Sequence, residues 1–413
     1  MKILVSTTVK ILVSTSWNTA CGIADHSAQA MEAIHAVDSA LQFTPSAEAL
    51  DPDWVLQYAV RGEAFPCDVL WLNYHRGLHS RWTPERVRAV RDRFHVPVVI
   101  TWHDSYGEAE PDQLTRDLHD IADAFIVHEP CLGLPRAHVI RQGVAAWPGQ
   151  SIYDQSVLGW TNGRPILGTC GFNFAWKNFD RLAAVTAEAG WAFLVLSNNA
   201  STLDEAKWRS SNPHTQVVRG FLSTGEIVQK LAGCDATVFA YECANSGTSG
   251  AIRLGLAARK PVIAWKNCRQ FRDLYLEEQY RSESRIDWCT GFDDLPYHLA
   301  EVPIQRLDPG IVALATRDAW ANQAAKYAAI FHSAEETSMS ELVWDVTTGL
   351  DYAPAVHYDE TKPTGHLRRQ FSTARLQEAL GWVPATSFTT GLAKTISWTL
   401  TDHPDPFNPR SHR

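Results

Sequence analysis

Residues 236–264 read ATVFAYECANSGTSGAIRLGLAARKPVIA, and this stretch decides the fold class. It holds two apolar strand candidates, Ala236–Phe239 and 261–264, separated by a loop of small and hydroxyl residues and a helix candidate, 249–258. Strands joined through a helix pair in parallel, because the chain must cross back to the starting edge of the sheet before the second strand begins. The stretch therefore predicts an α/β protein built on a parallel sheet.

The same alternation of short apolar runs and helical patterns continues on both sides of this stretch. Further strand candidates are residues 10–15, 69–72, 96–101, Ala124–Val127, 139–141, 166–168, 193–196 and 216–218, and further helix candidates are 178–189 and Thr224–Ala232. Between 147 and 164 the periodicity fades into a polar, glycine-containing stretch, which is typical of a linker. We therefore predict two doubly wound parallel sheets facing a cleft, where the carboxyl ends of the strands meet the ligand. The predicted domains are 1–150 and 151–335, both Rossmann-like, with an appendage at 336–413.

The sequence KILVST occurs twice, at residues 2–7 and 10–15. Two identical segments cannot both be the first strand of one parallel sheet, and only the second copy is followed by a loop and a helical pattern. We take the second copy as the functional strand and the first as a duplication or an upstream start. An added edge strand is the alternative.

Composition narrows the function classes. The 413 residues carry a net charge of −9, and the eight cysteines form no CxxC pair. An acidic total disfavours nucleic acid as the main partner, since affinity for phosphates usually comes with basic excess. Scattered cysteines in a long chain are typical of a reducing compartment. With neither a membrane-length apolar run nor a signal-peptide pattern at the start, we expect a cytoplasmic protein.

Two loops that follow strands in the first half carry candidate functional residues. In SWNTACGIADHS (16–27), Gly22 and Ile23 open a helix whose free N–H groups suit a diphosphate or a sugar hydroxyl. The alternative is an ordinary strand–helix turn. In VVITWHDSY (98–106), His103 and Asp104 stand where a cleft would be, the histidine to bond a hydroxyl or phosphate and the aspartate to position it or act as a base. The alternative for His103 is a packed, hydrogen-bonded histidine.

Two loops in the second half complete the candidate set. In GTCGFNFAWKN (168–178), Lys177 stands at the mouth of a helix, where a cation neutralises a departing diphosphate, and Asn173 lies in the same loop. The alternative is a solvated lysine. The loop 241–250 forms a second anion-binding nest before a helix, or a Ser/Thr/Gly-rich turn with a cap. Its candidate donor-binding residues are Glu242, Ser246, Gly247, Thr248 and Ser249.

In this order, the motifs resemble those of retaining GT-B glycosyltransferases of family 4 over about residues 10–335. The resemblance rests on CGIADHS, ITWHDSY, ADAFIVHEP with VIRQGV, GFNFAWKNFDRL and SGTSGAIRLGLAARKPVIA. It implies a GT-B fold, an acceptor in the N-terminal domain and a nucleotide sugar in the C-terminal one. It also implies hexosyl or pentosyl transfer with retention, no catalytic metal and no cofactor beyond a GDP- or UDP-type sugar as co-substrate. Gly22 would then face the diphosphate, His103 the transferring sugar and Lys177 the phosphates. The nest at 246–249 would hold the phosphates or the sugar.

One departure from this family opens two further hypotheses. The family usually carries two glutamates eight residues apart in the last motif, but Ser246 and Leu254 stand there, and Glu242 lies four residues early. A GT-B shell that binds a nucleotide sugar or acts as a scaffold without catalysis is therefore the alternative. A further alternative is transfer to modified DNA bases, through an exposed Trp82 and the basic run 81–93. That run is more simply a solvated helix face.

The tail resembles a different family. Residues 357–398 are similar to the C-terminal end of an extended short-chain dehydrogenase such as GDP-fucose synthase. The glycine-rich dinucleotide fingerprint of that family is absent from the sequence, which argues against hydride chemistry. We expect this segment to dock on the transferase, or to pair with a separate sugar-nucleotide epimerase. The acceptor, whether glycan, lipid-linked or small molecule, stays open.

Overall fold

The computed structural model describes residues 8–17, 19, 21–104, 111–131, 133–149, 159–242, 247–278, 286–304 and 307–335. The first copy of the repeat, the middle of the predicted linker and the appendage lie outside these ranges. Among the described residues, no helix combines the length and the apolar character needed to cross a membrane.

The N-terminal lobe is built on a six-stranded parallel sheet in the order β2-β1-β3-β4-β5-β6. Its strands are β1 (Val9–Ser14), β2 (Leu41–Ser46), β3 (Val69–Tyr74), β4 (Val98–Trp102), β5 (Ala124–Val127) and β6 (His138–Val139). Its helices are α1 (Gly22–Val37), α2 (Pro52–Val60), α3 (Pro84–Phe94) and α4 (Gln113–Ile121). Strands β3, β4 and β5 are buried along their whole length, as expected for parallel strands covered on both faces.

The C-terminal lobe repeats this plan with the order β12-β11-β10-β7-β8-β9. Its strands are β7 (Ile166–Cys170), β8 (Ala192–Leu196), β9 (Thr215–Val218), β10 (Ala236–Phe239), β11 (Val262–Trp265) and β12 (Asp287–Cys289). Its helices are α5 (Phe179–Glu188), α6 (Thr202–Ser211), α7 (Thr224–Ala232), α8 (Gly250–Ala257), α9 (Arg272–Glu278), α10 (Leu295–Glu301) and α11 (Pro309–Arg317). Capping boxes start α6 at Ser201 and α7 at Ser223, where the serine side chain and the acidic side chain three residues on satisfy each other's backbone N–H groups.

In both sheets the chain starts at an interior strand and later reverses direction across the sheet. The neighbours of β1 are β2 and β3, and the neighbours of β7 are β8 and β10. Loops that leave such a pair of strands run to opposite faces and open a crevice at the carboxyl edge. The predicted fold class, two doubly wound parallel sheets, is confirmed, and the second copy of the repeat forms β1, an interior strand of the first sheet.

The last helix, α12 (Trp320–Glu335), follows the C-terminal lobe in sequence but packs on the N-terminal lobe. Its apolar stripe includes Trp320, Tyr327 and Phe331, and the Phe331 ring centroid lies 5.1 Å from that of Trp71 in β3. The chain therefore returns to the first sheet after completing the second. The predicted domain boundaries stay predictions, and this crossing was not part of them.

Candidate functional site

The carboxyl end of β7 holds the predicted lysine. Lys177 is 5% exposed, and its Nζ lies 4.9 Å from the ring centroid of Tyr241 and 5.4 Å from that of Trp176. Gly171, with φ +115°, packs between this ammonium and the first turn of α8; a Cβ there would collide with Lys177 Nζ and lie 3.6 Å from Ala251. The solvated-lysine alternative is therefore wrong, because two aromatic faces stabilise a buried cation beside a helix N-terminus.

The predicted nest follows β10 and contacts the other lobe. Gly247 has φ +111°, and a Cβ there would lie 2.9 Å from the carbonyl oxygen of His103. Thr248 lines a pocket together with residues of the N-terminal lobe, and Ser249 is buried before the first turn of α8. Ser246 lies outside the described residues. The structure thus brings the nest against the end of β4.

The pocket between the lobes is lined mainly by the ends of β4 and β5. Its lining residues are Trp102, His103, Asp104, Val127, His128, Glu129, Cys131 and Thr248. The two predicted residues His103 and Asp104 are both in this set, whereas Lys177 is not. Arg272 of α9 reaches across from the C-terminal lobe, with its Nη1 3.5 Å from Glu129 Oε2. The pocket therefore joins both lobes through side-chain contacts.

His103 is a packed histidine as well as a pocket residue. Its Nε2 lies 3.2 Å from Asn73 Oδ1 and its Nδ1 lies 3.2 Å from Nε2 of His128. Burial, followed by the neighbouring His26 and His128, places the pKa of His103 well below its usual range. The ring is therefore neutral at physiological pH, and a bond to a sugar hydroxyl requires one of its two present contacts to be exchanged.

Asp104 is held in place by residues that follow β3. The backbone N–H of Arg76 donates to Asp104 Oδ2 at 3.3 Å, and the Arg76 side chain approaches the same oxygen at 3.6 Å. His75 lies 3.8 Å from the other carboxylate oxygen. The carboxylate is therefore fixed at the pocket wall by positive and hydrogen-bonding groups from the neighbouring strand end.

The remaining predicted residues lie apart from this pocket lining. Gly22 begins α1, and a Cβ there would meet nothing within 4 Å among the described atoms. Ile23 is partly buried in the same turn. The Asn173 backbone N–H donates to Asn199 Oδ1 at 2.6 Å, and Glu242 is an exposed partner of Arg181 at 3.2 Å. Donor contacts by these residues stay predictions.

Sequence reasoning missed two residues that pack against His103. His128 follows β5 directly, as His103 follows β4, so the same strand-end argument would have selected it. His26 lies on α1 and is 2% exposed, with its ring centroid 4.5 Å from that of His103. Only the packing of α1 against the sheet places it there.

The expected exposure of Trp82 is wrong. Its side chain is fully buried, and its indole N–H donates to the carbonyl of Ala49 at 3.0 Å. In the basic run, Arg81 pairs with Asp51 and Asp53, and Arg91 pairs with Asp123. These contacts hold the run on its own lobe, and the DNA-base hypothesis loses the features on which it depended.

The described fold is that of known GT-B glycosyltransferases. HepE of Anabaena, solved with UDP and glucose, superposes with a TM-score of 0.56 at 12% identity, covering 79% of this chain and 100% of that one. Trehalose-6-phosphate synthase OtsA gives 0.54 at 8% identity (79% and 99% coverage), and AviGT4, a glycosyltransferase of avilamycin A biosynthesis, gives 0.51 at 12% (79% and 98%). The predicted GT-B fold is therefore confirmed.

Sequence comparison adds less. No family model matches the chain. The dTDP-glucose 4,6-dehydratase of Escherichia coli is 33% identical over 63 residues, which is 15% of this chain. The match spans only 17% of the length of that enzyme, so it carries no conclusion about activity.

Proposed function

We propose that this protein is a glycosyltransferase of the family 4 type, which moves a sugar from a nucleotide-diphosphate sugar to an acceptor hydroxyl with retention. The GT-B fold supports this proposal, because its cleft suits two substrates bound on facing lobes. HepE, of the same fold, was solved with UDP and glucose. A UDP- or GDP-linked hexose is the donor class we favour for this chain.

The observation that carries the proposal is the pairing of Lys177 with the N-terminus of α8 at the edge where β7 and β10 lie side by side. Transfer leaves a diphosphate whose negative charge must be stabilised as the glycosidic bond breaks. A buried cation and the positive end of a helix supply that stabilisation without a metal on the diphosphate. Both groups are already in place, so little reorganisation accompanies the step.

The pocket lined by His103, Asp104 and Thr248 is the proposed place of the transferring sugar. It lies where the nest contacts the end of β4, between the donor edge and the N-terminal lobe. An acceptor hydroxyl that enters from the N-terminal lobe would attack on the face from which the diphosphate departs. That geometry gives retention of the anomeric configuration.

One observation favours a second candidate, a binding protein without catalysis. Glu242, the nearest glutamate to the family's missing pair, is turned to Arg181 on the surface. Ser246 and Leu254 occupy the aligned positions. A binding protein with this fold would still bind the donor through Lys177 and the nest.

A donor screen separates the two candidates. UDP, GDP, ADP and dTDP sugars are each added to the full chain, and the melting temperature and the slow release of free sugar are recorded. A donor at about 100 times its Kd stabilises the folded state by about 2.7 kcal/mol. Stabilisation with sugar release indicates the transferase, and stabilisation without release the binding protein. No stabilisation by any nucleotide sugar would overturn both.

A further inference from the structure

Three aromatic side chains alternate along the loop that joins β7 to α5. Phe172, Phe174 and Trp176 occupy every second position of this loop, and Lys177 follows them directly. The ring centroids of Phe172 and Phe174 lie 5.7 Å apart at an interplanar angle of 30°, and those of Phe174 and Trp176 lie 5.5 Å apart at 24°. We call these three rings the aromatic row.

The rings of the aromatic row are nearly parallel but offset from one another. Rings stacked directly face to face would have centroids about 3.5–4.0 Å apart, the contact distance of carbon atoms, and both observed separations are larger. Each ring therefore covers only part of its neighbour and leaves part of its own face open. Phe174 is the most exposed of the three, at 46%, whereas Trp176 packs against the apolar core of the C-terminal lobe.

Backbone hydrogen bonds fix the loop that carries the row. The Lys177 N–H donates to the carbonyl oxygen of Phe174 at 2.9 Å, and the Glu242 N–H donates to the carbonyl oxygen of Trp176 at 2.8 Å. Because these bonds hold the backbone, the exposed Phe174 ring is not needed to fix the loop. A single exposed aromatic residue needs no explanation, but a row of three beside the proposed diphosphate site is typical of a preorganised binding surface.

Side-chain amides border the aromatic row. The Asn173 N–H donates to Asn199 Oδ1 at 2.6 Å, and the Ser197 hydroxyl donates to the same oxygen at 3.1 Å. Both contacts use the amide oxygen of Asn199, so the amide nitrogen of this exposed side chain can donate to a ligand. An aromatic face with an amide at its border matches a sugar ring, which has apolar C–H groups on its faces and hydroxyl groups around its rim.

We propose that the aromatic row binds a sugar ring of a carbohydrate acceptor, whose apolar face stacks on Phe174. This inference rests on the proposed function and names the acceptor class for it. The position of the row supports an acceptor, because the Trp176 ring centroid lies 5.4 Å from Lys177 Nζ. A ring stacked on Phe174, the neighbour of Trp176, therefore lies beside the proposed diphosphate site, where an acceptor must reach the donor.

A nucleobase or a lipid chain on the same surface would explain fewer of these observations. One base stacks on one ring, whereas the row presents three offset rings in succession, as successive sugars of a glycan require. A lipid chain is stabilised by a continuous apolar surface, because its whole length must leave water. Here Asn173 separates two of the rings in sequence and the exposed amide of Asn199 borders them.

The test measures glycan binding by the full chain in the absence of a donor. An array of immobilised glycans selects a ligand, and calorimetry gives its Kd. Phe174→Ala should raise this Kd by about tenfold, because the stacked ring face is lost. Phe174→Tyr keeps the ring and should stay within about twofold of the wild type. Tyr297→Ala is the matched control, since that ring is 73% exposed on α10, and it should leave the Kd unchanged.

The donor screen separates failure of this inference from failure of the proposed function. If a nucleotide sugar stabilises the fold but the wild type binds no glycan, or binds it with the same Kd as Phe174→Ala, the acceptor site is overturned and the transferase proposal stands. If glycan binding depends on Phe174 but no nucleotide sugar stabilises the fold, the sugar site stands and the transferase proposal is overturned.

Two further outcomes would reassign the aromatic row. Loss of nucleotide-sugar stabilisation in Phe174→Ala would place the ring in the donor site. Binding to phosphatidylglycerol vesicles that depends on Phe174, with no glycan bound, would assign the row to a lipid. Either result would overturn the carbohydrate-acceptor proposal.

Discussion

The two lobes share one topology but present opposite chemistry at the same edge of their sheets. At the carboxyl edge of the C-terminal sheet, a buried ammonium, Lys177, lies beside the N-terminus of α8. At the carboxyl edge of the N-terminal sheet, three buried histidines are held neutral. One edge therefore attracts an anion, while the other offers lone pairs and hydrogen-bond partners.

This difference shows that the fold decides where a binding site forms, whereas the side chains decide whether that site is positively charged or neutral. A doubly wound sheet opens a crevice wherever the strand order reverses, whatever residues follow the strands. The lobes meet where Gly247 approaches the carbonyl of His103, and the neighbouring Thr248 lines the pocket at the neutral edge. A donor that is anionic at one end and hydroxyl-rich at the other fits that division.

The strongest test removes the charge from the C-terminal edge. Lys177→Ala should lower the transfer rate by on the order of 10²–10³, because the departing diphosphate loses its nearest cation. The rate is measured with the donor found in the screen, alongside a melting curve. Lys207→Ala is the matched control, since that lysine is exposed and pairs with Asp180. If the Lys177 variant turned over donor as fast as the wild type, Lys177 would not stabilise the departing diphosphate.

The neutrality of the N-terminal edge predicts a pH dependence of stability. Burial lowers the pKa of His26, His103 and His128, and it lowers that of His79 to about 4, from 6.5. Below about pH 6.5 the unfolded chain binds protons that the folded chain excludes, so the free energy of unfolding falls, by up to about 1.4 kcal/mol per pH unit for each histidine.

Urea unfolding at about pH 7.5 and about pH 5.5, with a chelator present, measures this loss. His79→Gln should reduce the dependence by roughly one proton, because burial is the main cause of the lowered pKa of that histidine. A free energy of unfolding that stays constant across this range would contradict neutral, buried histidines.

The contact between the two lobes is tested at Gly247. Gly247→Ala should destabilise the fold by about 1–3 kcal/mol, because alanine is strained at φ +111° and its Cβ would press on the carbonyl of His103. Gly220→Ala is the matched control: it has φ +99° but nothing within 4 Å of the added Cβ. Equal unfolding free energies for the two variants would show that the contact between the lobes contributes nothing.

The smallest effect is expected at Glu242. Its exposed pair with Arg181 should contribute less than about 1 kcal/mol, so Glu242→Ala changes the free energy of unfolding little. Donor Kd, measured on the same variant, then reports on function alone. A raised Kd would add Glu242 to the donor-binding residues, and an unchanged Kd would confine donor binding to Lys177 and the nest.

Much of the secondary structure follows from local sequence. The predicted bounds Ala124–Val127, Thr224–Ala232 and Ala236–Phe239 agree with the structure, because buried runs and capping signals act over a few residues. Strand β2 was missed, since its pattern is only partly buried and it contains Pro45. The three-residue β12 was missed because so short a run has no periodicity to detect.

The candidate site, like the secondary structure, was predicted only in part. Lys177 and the nest were found because each lies in the loop that joins a strand to the next helix, and parallel strands end at a common edge. His26 was not found, because its position against His103 depends on how α1 packs. Trp82 was misjudged because the exposure of a residue on a helical pattern depends on what covers that face.

The sequence by itself determined an α/β chain with two doubly wound sheets and polar loops after their strands, since periodicity, caps and turns are encoded by neighbouring residues. Only the tertiary structure decided that α12 returns to the first sheet, and that three histidines separated by up to about a hundred residues share one buried cluster. The physical reason is that contacts between distant segments depend on strand order and on helix packing, which no local pattern specifies.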